Sequence, residues 1–361
     1  MKRPVRPVST RHLVKVVASL PDPDPSVRYQ AHGQTITVAA SNPDLVMAAS
    51  MCLSEPVAHA DTVILAGSPA VQDPVTLTRS GWMRRGHPAK DFHIHNHRQL
   101  SCSVPAQKRS VTVDAAHLQD MLEAYHAAPE TSGVIFDTHS SQLTLSINGQ
   151  LVRASATLRT PLTGNGDPAT VEIPLDAVAP AARTFTGQVT ISVGPGAVVL
   201  SGNTARDLRL SISFRTPKTT SPSQVPPAPN PDRRRHDVHI DLRDWAGFAR
   251  QARRPVLDYV PIAHLRLSGT SDARTLQVDT RSGATSHHLD IACSTSDRFA
   301  VDLPWPALVA VLSPATRAAA TTAELRVFDP NPRLTPLVVT YRGEHFTGWA
   351  AAVARKPVIA A

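Results

Sequence analysis

The sequence predicts an α+β protein assembled from one repeated unit: a strand, a helix and three further strands. Two observations carry this. Four segments, opening at Ser110, Thr170, Asp237 and Arg298, alternate apolar and polar residues and then place apolar residues at three- and four-residue steps. A period that changes from two to 3.6 marks a strand running into a helix. Strand-like runs with turn residues between them follow each copy, and the copies recur about every sixty residues, the signature of an internal repeat.

The elements follow in order. "VSTRHLVKVVASL" supplies a first helix, and the run from Ser26 to Leu53 supplies three strands with turns at His32–Gly33 and Asn42–Pro43. The stretch from "DTVILAG" to "HRQLSCSVP" should hold a second unit. Its helix is interrupted by Pro69 and Pro74, and an interior proline breaks a helix, so a shortened or distorted unit is expected. The first clear repeat alternates Val111 and Val113 before Leu118, Met121 and Leu122; the second passes from Val171 and Ile173 to Val178 and Ala182. The third runs from Val238 and Ile240 to Trp245, Phe248 and Ala249, and the fourth from Phe299 and Val301 to Leu308, Val311 and Leu312. Six units pair into three domains, at 1–106, 108–217 and 237–361. Between the last two lies a proline-rich linker, 218–236, without apolar periodicity.

Composition narrows the function. Of 361 residues, 42% are hydrophobic, and no apolar run reaches the length of a membrane span. The basic start "MKRPVR" precedes only a short apolar segment carrying Lys15. A signal peptide needs an uninterrupted apolar region, so a cytoplasmic protein is expected. Cys52, Cys102 and Cys293 lie far apart, without a CxxC pair, which argues against a disulfide framework or a cysteine zinc site. The net charge of +8, with six lysines against thirty-one arginines, suits a polyanionic partner. A GC-rich genome would give the same arginine bias.

"DFHIHNHRQL" raises a metal reading, because His93, His95 and His97 alternate along a strand. Neighbouring pairs would stand about 7 Å apart at Cα and the outer two about 13 Å. Two could share a zinc, three could not, and no spacing nominates further ligands. A polar outer strand face is the preferred reading, so neither metal nor other cofactor is expected. There is also no GxGxxG, GxxxxGK[ST], HExxH or GxSxG, and nothing proposes an enzyme.

Three domains of two such units in a chain of this length resemble the bacterial DNA sliding clamp, the β subunit of DNA polymerase III. "ITVAASNPDLVMAASMCL" looks like a first-domain run of that family. "SINGQLV" sits where the family carries A-T-D-G-H-R-L, and "LQVDTRSGATSHHLDIAC" and "TPLVVTYRGEHFTGW" look like third-domain strands. The resemblance implies the sliding-clamp fold, with helices on the inner side and sheets outside. It implies a homodimeric ring around double-stranded DNA that slides without base contacts and tethers a polymerase, a nucleoid-associated processivity factor with no catalytic role. The helices then offer Arg11, Lys15, Arg183, Arg243, Arg250, Arg253, Arg254 and Arg317 to phosphates; the helix from Asp114 offers no lysine or arginine and carries Asp120 and Glu123.

The family's pocket for peptides of polymerases and clamp-loader proteins maps onto Gly149, Gln150, Leu151 and Val152, with Trp349 and Val353 as the nearest apolar residues toward the C-terminus. Leu151 stands where the family has arginine. The proline-rich linker replaces the family's short connector, and its Met-Pro-Met-like tail is absent. These departures suggest a divergent paralogue. An accessory protein that keeps the fold and binds partners without encircling DNA is the alternative.

Overall fold

The computed structural model describes residues 7–54, 60–66, 75–88, 108–216, 225–226, 235–245, 264–328 and 337–352, with short breaks inside these ranges. The first elements in chain order are β1 (Val8–Ser9), α1 (Arg11–Val17), β2 (Ser26–His32), β3 (Thr35–Ser41), β4 (Val46–Cys52) and β5 (Ala60–Ala66). Next come β6 (Thr76–Thr78), β7 (Gly81–Arg84), β8 (His87–Pro88), β9 (Arg109–Asp114), α2 (Ala115–His126), β10 (Gly133–Asp137), β11 (Gln142–Asn148) and β12 (Val152–Pro161). Then follow β13 (Thr170–Pro174), α3 (Leu175–Ala182), β14 (Phe185–Gly194), β15 (Ala197–Thr204), β16 (Arg209–Arg215) and β17 (Arg235–Asp241). The last are β18 (His264–Thr270), β19 (Ala273–Ser282), β20 (Thr285–Thr295), β21 (Phe299–Pro304), α4 (Trp305–Arg317), β22 (Thr322–Phe328), β23 (Leu337–Arg342) and β24 (Phe346–Ala352).

Two compact units result. One comprises Met1–Gln119, Phe136–Ser141 and Pro161–Ser221; the other comprises Asp120–Ile135, Gln142–Thr160 and Pro222–Ala361. Both draw on the 108–217 segment.

The first unit holds an eight-stranded sheet in the order β5-β2-β3-β4-β16-β15-β14-β9. Its seam is the antiparallel pairing of β4 with β16, Leu210 opposite Met51, Ile212 opposite Ala49 and Phe214 opposite Met47. On the same pleat, β3 sets Ile36, Val38 and Ala40 opposite Met51, Ala49 and Met47. These side chains are buried, Phe214 and Met47 completely. Helix α1 packs on β3 and β4. Leu13, Val14, Val16 and Val17 are buried while Arg11, His12 and Lys15 remain exposed, the division an amphipathic helix requires. Thr10 ties the start of α1 to the chain below: its N–H (3.0 Å) and its hydroxyl (2.7 Å) both donate to the Val75 carbonyl.

No helix forms among the described residues of the 60–88 stretch. β6, β7 and β8 instead join β1 in a small sheet of order β1-β6-β7-β8, and Trp82 of β7 packs its ring 5.9 Å from that of Tyr29. Proline alone did not decide this. α3 contains Pro180 and α4 contains Pro314; their buried apolar faces hold those helices despite the lost N–H.

In the second unit the sheet runs β10-β11-β12-β24-β23-β22-β17-β20-β19-β18-β21. Here β12 meets β24, Val152 opposite Ala352 and Leu158 opposite Phe346. Helix α4 packs on β23 and β24, sealing Leu308, Val311, Leu312 and Ala315 against them. Tyr125 donates to the Leu145 carbonyl at 2.9 Å, whereas the Tyr341 hydroxyl has no hydrogen-bond partner among the described residues.

Three phenols respond to this burial. Tyr29 is pushed up to about 12, with Arg84 opposing. Burial also raises Tyr125, helped by nearby Tyr341, and raises Tyr341 itself. A raised phenol keeps its proton in the folded state, so its stabilising contribution is whole below the unfolded value of 10.0 and is lost as pH climbs through the folded one. The urea midpoint should therefore fall steadily above that value, and Tyr29→Phe should make the fall shallower. An equal slope in both proteins would refute this.

Candidate nucleic-acid interface

The expected phosphate-binding residues divide sharply. In the first unit, Arg11 and Lys15 stand one helical turn apart on the exposed side of α1. Arg183 caps the C-terminal end of α3, also exposed. Two basic residues that no sequence pattern singled out are paired with each other in the same unit. His12 lies beside Arg11, and Arg206 projects from the turn between β15 and β16, donating from Nη1 to His12 Nε2 at 3.0 Å. Arg206 and His12 are 194 residues apart in sequence, so no local pattern pairs them.

In the second unit the two described residues of the expected set, Arg317 and Arg243, meet carboxylates. Arg317, at the C-terminal end of α4, reaches Asp120 Oδ1 at 2.8 Å and Glu123 Oε2 at 3.7 Å, all three side chains partly exposed. The acidic residues noted on α2 thus meet the one basic residue expected from α4. Arg243 lies between β17 and the helical position Trp245, and its guanidinium donates to the Asp241 carboxylate. That side-chain bond, with one from the Arg243 N–H, holds Asp241 below its ordinary range. Glu324 behaves similarly: burial pushes its carboxyl up, but donation from Arg326 and from Thr340 (3.1 Å) outweighs it and leaves it lowered. Arg250, Arg253 and Arg254, the densest expected cluster, lie outside the described residues, as do His93, His95 and His97. Among the described residues, no group of three His, Cys, Asp or Glu could hold a metal ion.

The expected peptide-pocket residues do not converge on one surface. Gly149 and Gln150 form the β11–β12 turn, where the Gly149 N–H donates to the Val152 carbonyl at 3.0 Å. Gln150 is exposed, Leu151 is 8% exposed and Val152 is fully buried. Trp349 sits opposite Ser155, three residues along the β12–β24 ladder from the Val152–Ala352 pair. An odd offset places it on the other face of the sheet, where it packs against Phe328, Val338 and Ala351. Val353 lies outside the described residues.

No protein-family profile and no curated relative matches the sequence. Solved structures do match in shape. The DNA polymerase III subunit β from Pseudomonas aeruginosa is similar at a TM-score of 0.63 and 11% identity, over 97% of this chain and 99% of that one. The β subunit from Thermotoga maritima matches at 0.59 and 12% identity, over 97% and 98%. The sliding clamp from Bartonella birtlesii, solved with griselimycin, matches at 0.62 and 11% identity, over 97% and 99%. Along nearly its whole length, and with very little sequence in common, this chain has the fold of the bacterial DNA sliding clamps.

Proposed function

We propose that the protein is a divergent sliding clamp: a ring-forming processivity factor that encircles duplex DNA without sequence specificity and tethers a polymerase or another DNA-processing protein. The observation that carries this reading is the likeness to β subunits over 97% of this chain and 98–99% of theirs. The exposed Arg11, Lys15 and Arg183 suit phosphates, which attract cations whatever the base sequence. In this reading the chain has three domains, pairs as a homodimer, acts in the cytoplasm at the nucleoid and performs no catalysis. Tethering then works by raising effective concentration.

A second reading is an accessory protein of the same fold that binds partners without encircling DNA. The ion pairs of Arg317 with Asp120 and Glu123 favour it, because they spend charge that phosphates would otherwise meet. Retention on DNA separates the two. A clamp loaded onto nicked circular duplex should stay bound and should escape once the circle is cut; a protein released equally from both forms would sink the ring. Within the ring reading, replacing Arg11, Lys15 and Arg183 by glutamate should weaken retention and flatten its salt dependence, by about one unit of slope for each phosphate no longer neutralised. An unchanged slope would remove these residues from the interface.

A further inference from the structure

A cavity of about 320 Å³ opens within the first unit, between α1, the end of α3 and the β15–β16 turn. That is near the lower bound for a ligand pocket. Its floor is apolar: Leu13 and Val16 of α1, Met51 of β4, and Leu208 and Leu210. Its remaining charged and titratable lining is basic, from His12, Lys15 and Arg206, and no aspartate or glutamate lines it among the described residues.

The turn that forms one wall is held in place by hydrogen bonds. Asp207 adopts a φ of 55°, a left-handed conformation that aspartate and asparagine take more readily than other non-glycine residues. Two hydrogen bonds hold it: Asp207 N–H to Thr204 carbonyl at 2.9 Å and Thr204 N–H to Leu208 carbonyl at 3.0 Å. The preceding residue, Arg206, is fixed by its bond to His12 at 3.0 Å.

We propose that this cavity receives one large apolar side chain from an acidic segment of a partner protein, with carboxylates beside that anchor meeting Lys15 and Arg206. A phosphate backbone has nothing to place on the floor of Leu13, Val16 and Met51. An uncharged apolar group would leave the cationic rim unused. An acidic segment with an apolar anchor matches both, and a buried anchor with charged neighbours is the usual division between affinity and orientation. None of Gly149, Gln150, Leu151, Val152 and Trp349 lines it, and Lys15 is shared with the expected phosphate contacts.

The test uses the full chain and a fluorescein-labelled peptide of glutamates flanking a central phenylalanine, read by anisotropy. Saturable binding is expected, lost when serine replaces the phenylalanine. Leu208→Asp should weaken it about tenfold or more, the usual cost of spoiling the seat of a buried anchor. Ala205→Trp should do the same by filling the mouth; Ala205 is exposed, so this change spares the core. Two results would overturn the proposal. One is equal binding of the serine peptide. The other is binding that both variants leave intact while duplex DNA competes it away, which would make the surface a plain polyanion site.

Discussion

Replacing Phe214 by alanine is expected to cost about 3–5 kcal/mol, the range for emptying a fully buried aromatic position. Phe214 is 0% exposed on β16, with Val198 of β15 on one side and Met47 of β4 on the other. It therefore sits in the seam that joins a strand near residue 50 to one near residue 210. Side chains on three strands close around it, so the site cannot collapse without moving β4. A loss of this size is a large part of the 5–15 kcal/mol that holds an ordinary domain together. Phe214→Leu keeps most of the volume and should cost clearly less. Urea unfolding measures both; an alanine variant within about 1 kcal/mol of the parent would show that the seam is not where this unit keeps its stability.

The second large effect is expected at Gly348, in the other seam. β24 passes between β12 and β23, and Gly348 lies opposite Ala156 on one side and Tyr341 on the other. A Cβ there would collide with the Ser155 carbonyl oxygen, which is backbone, and would come 2.7 Å from the Tyr341 hydroxyl. Neither neighbour yields easily: one belongs to the ladder, and Tyr341 is buried at 5% exposure. Overpacking usually costs 1–3 kcal/mol and more where backbone must move, so Gly348→Ala should cost about 3 kcal/mol. Gly33 is the comparison. It has open space around its missing Cβ, and its φ of 55° is the only strain a substitution meets there. Gly33→Asn, a residue that tolerates this conformation, should be nearly neutral. A thermal melt in which the two variants lose equal stability would reject the close-approach argument.

Local pattern made much of this architecture legible. The change of period at Asp114, Pro174 and Pro304 falls where β9, β13 and β21 pass into α2, α3 and α4, because a strand and a helix each need their own spacing of apolar residues to bury a face. The turns at Gly33 and Asn42 were readable for the same local reason: the Asn42 side chain accepts from the N–H groups of Asp44 and Leu45 at 2.9 and 2.7 Å. The prolines were a weaker guide. Pro69 and Pro74 predicted a distorted unit in a stretch whose described residues form strands, yet Pro180 and Pro314 sit inside helices.

Long-range pairing was not legible. Nothing in "FTGWA" states that Trp349 falls on the opposite face from Val152, since that follows from the register of β24 on β12, and register is set by whole faces and their turns. Nor does the sequence show that Arg317 is occupied by Asp120 and Glu123, or that Arg206 crosses to His12. A charge is a property of one residue, whereas its availability to a phosphate depends on which carboxylates the fold brings near it. By itself, then, the sequence determined the passage from strand to helix at α2, α3 and α4, the strands that follow them, and the excess of positive charge, all consequences of short-range spacing and composition. Only the tertiary structure decided which strands meet, which arginines face carboxylates and where an apolar cavity lies under a basic rim, because each of these depends on residues that sequence separates and burial brings together.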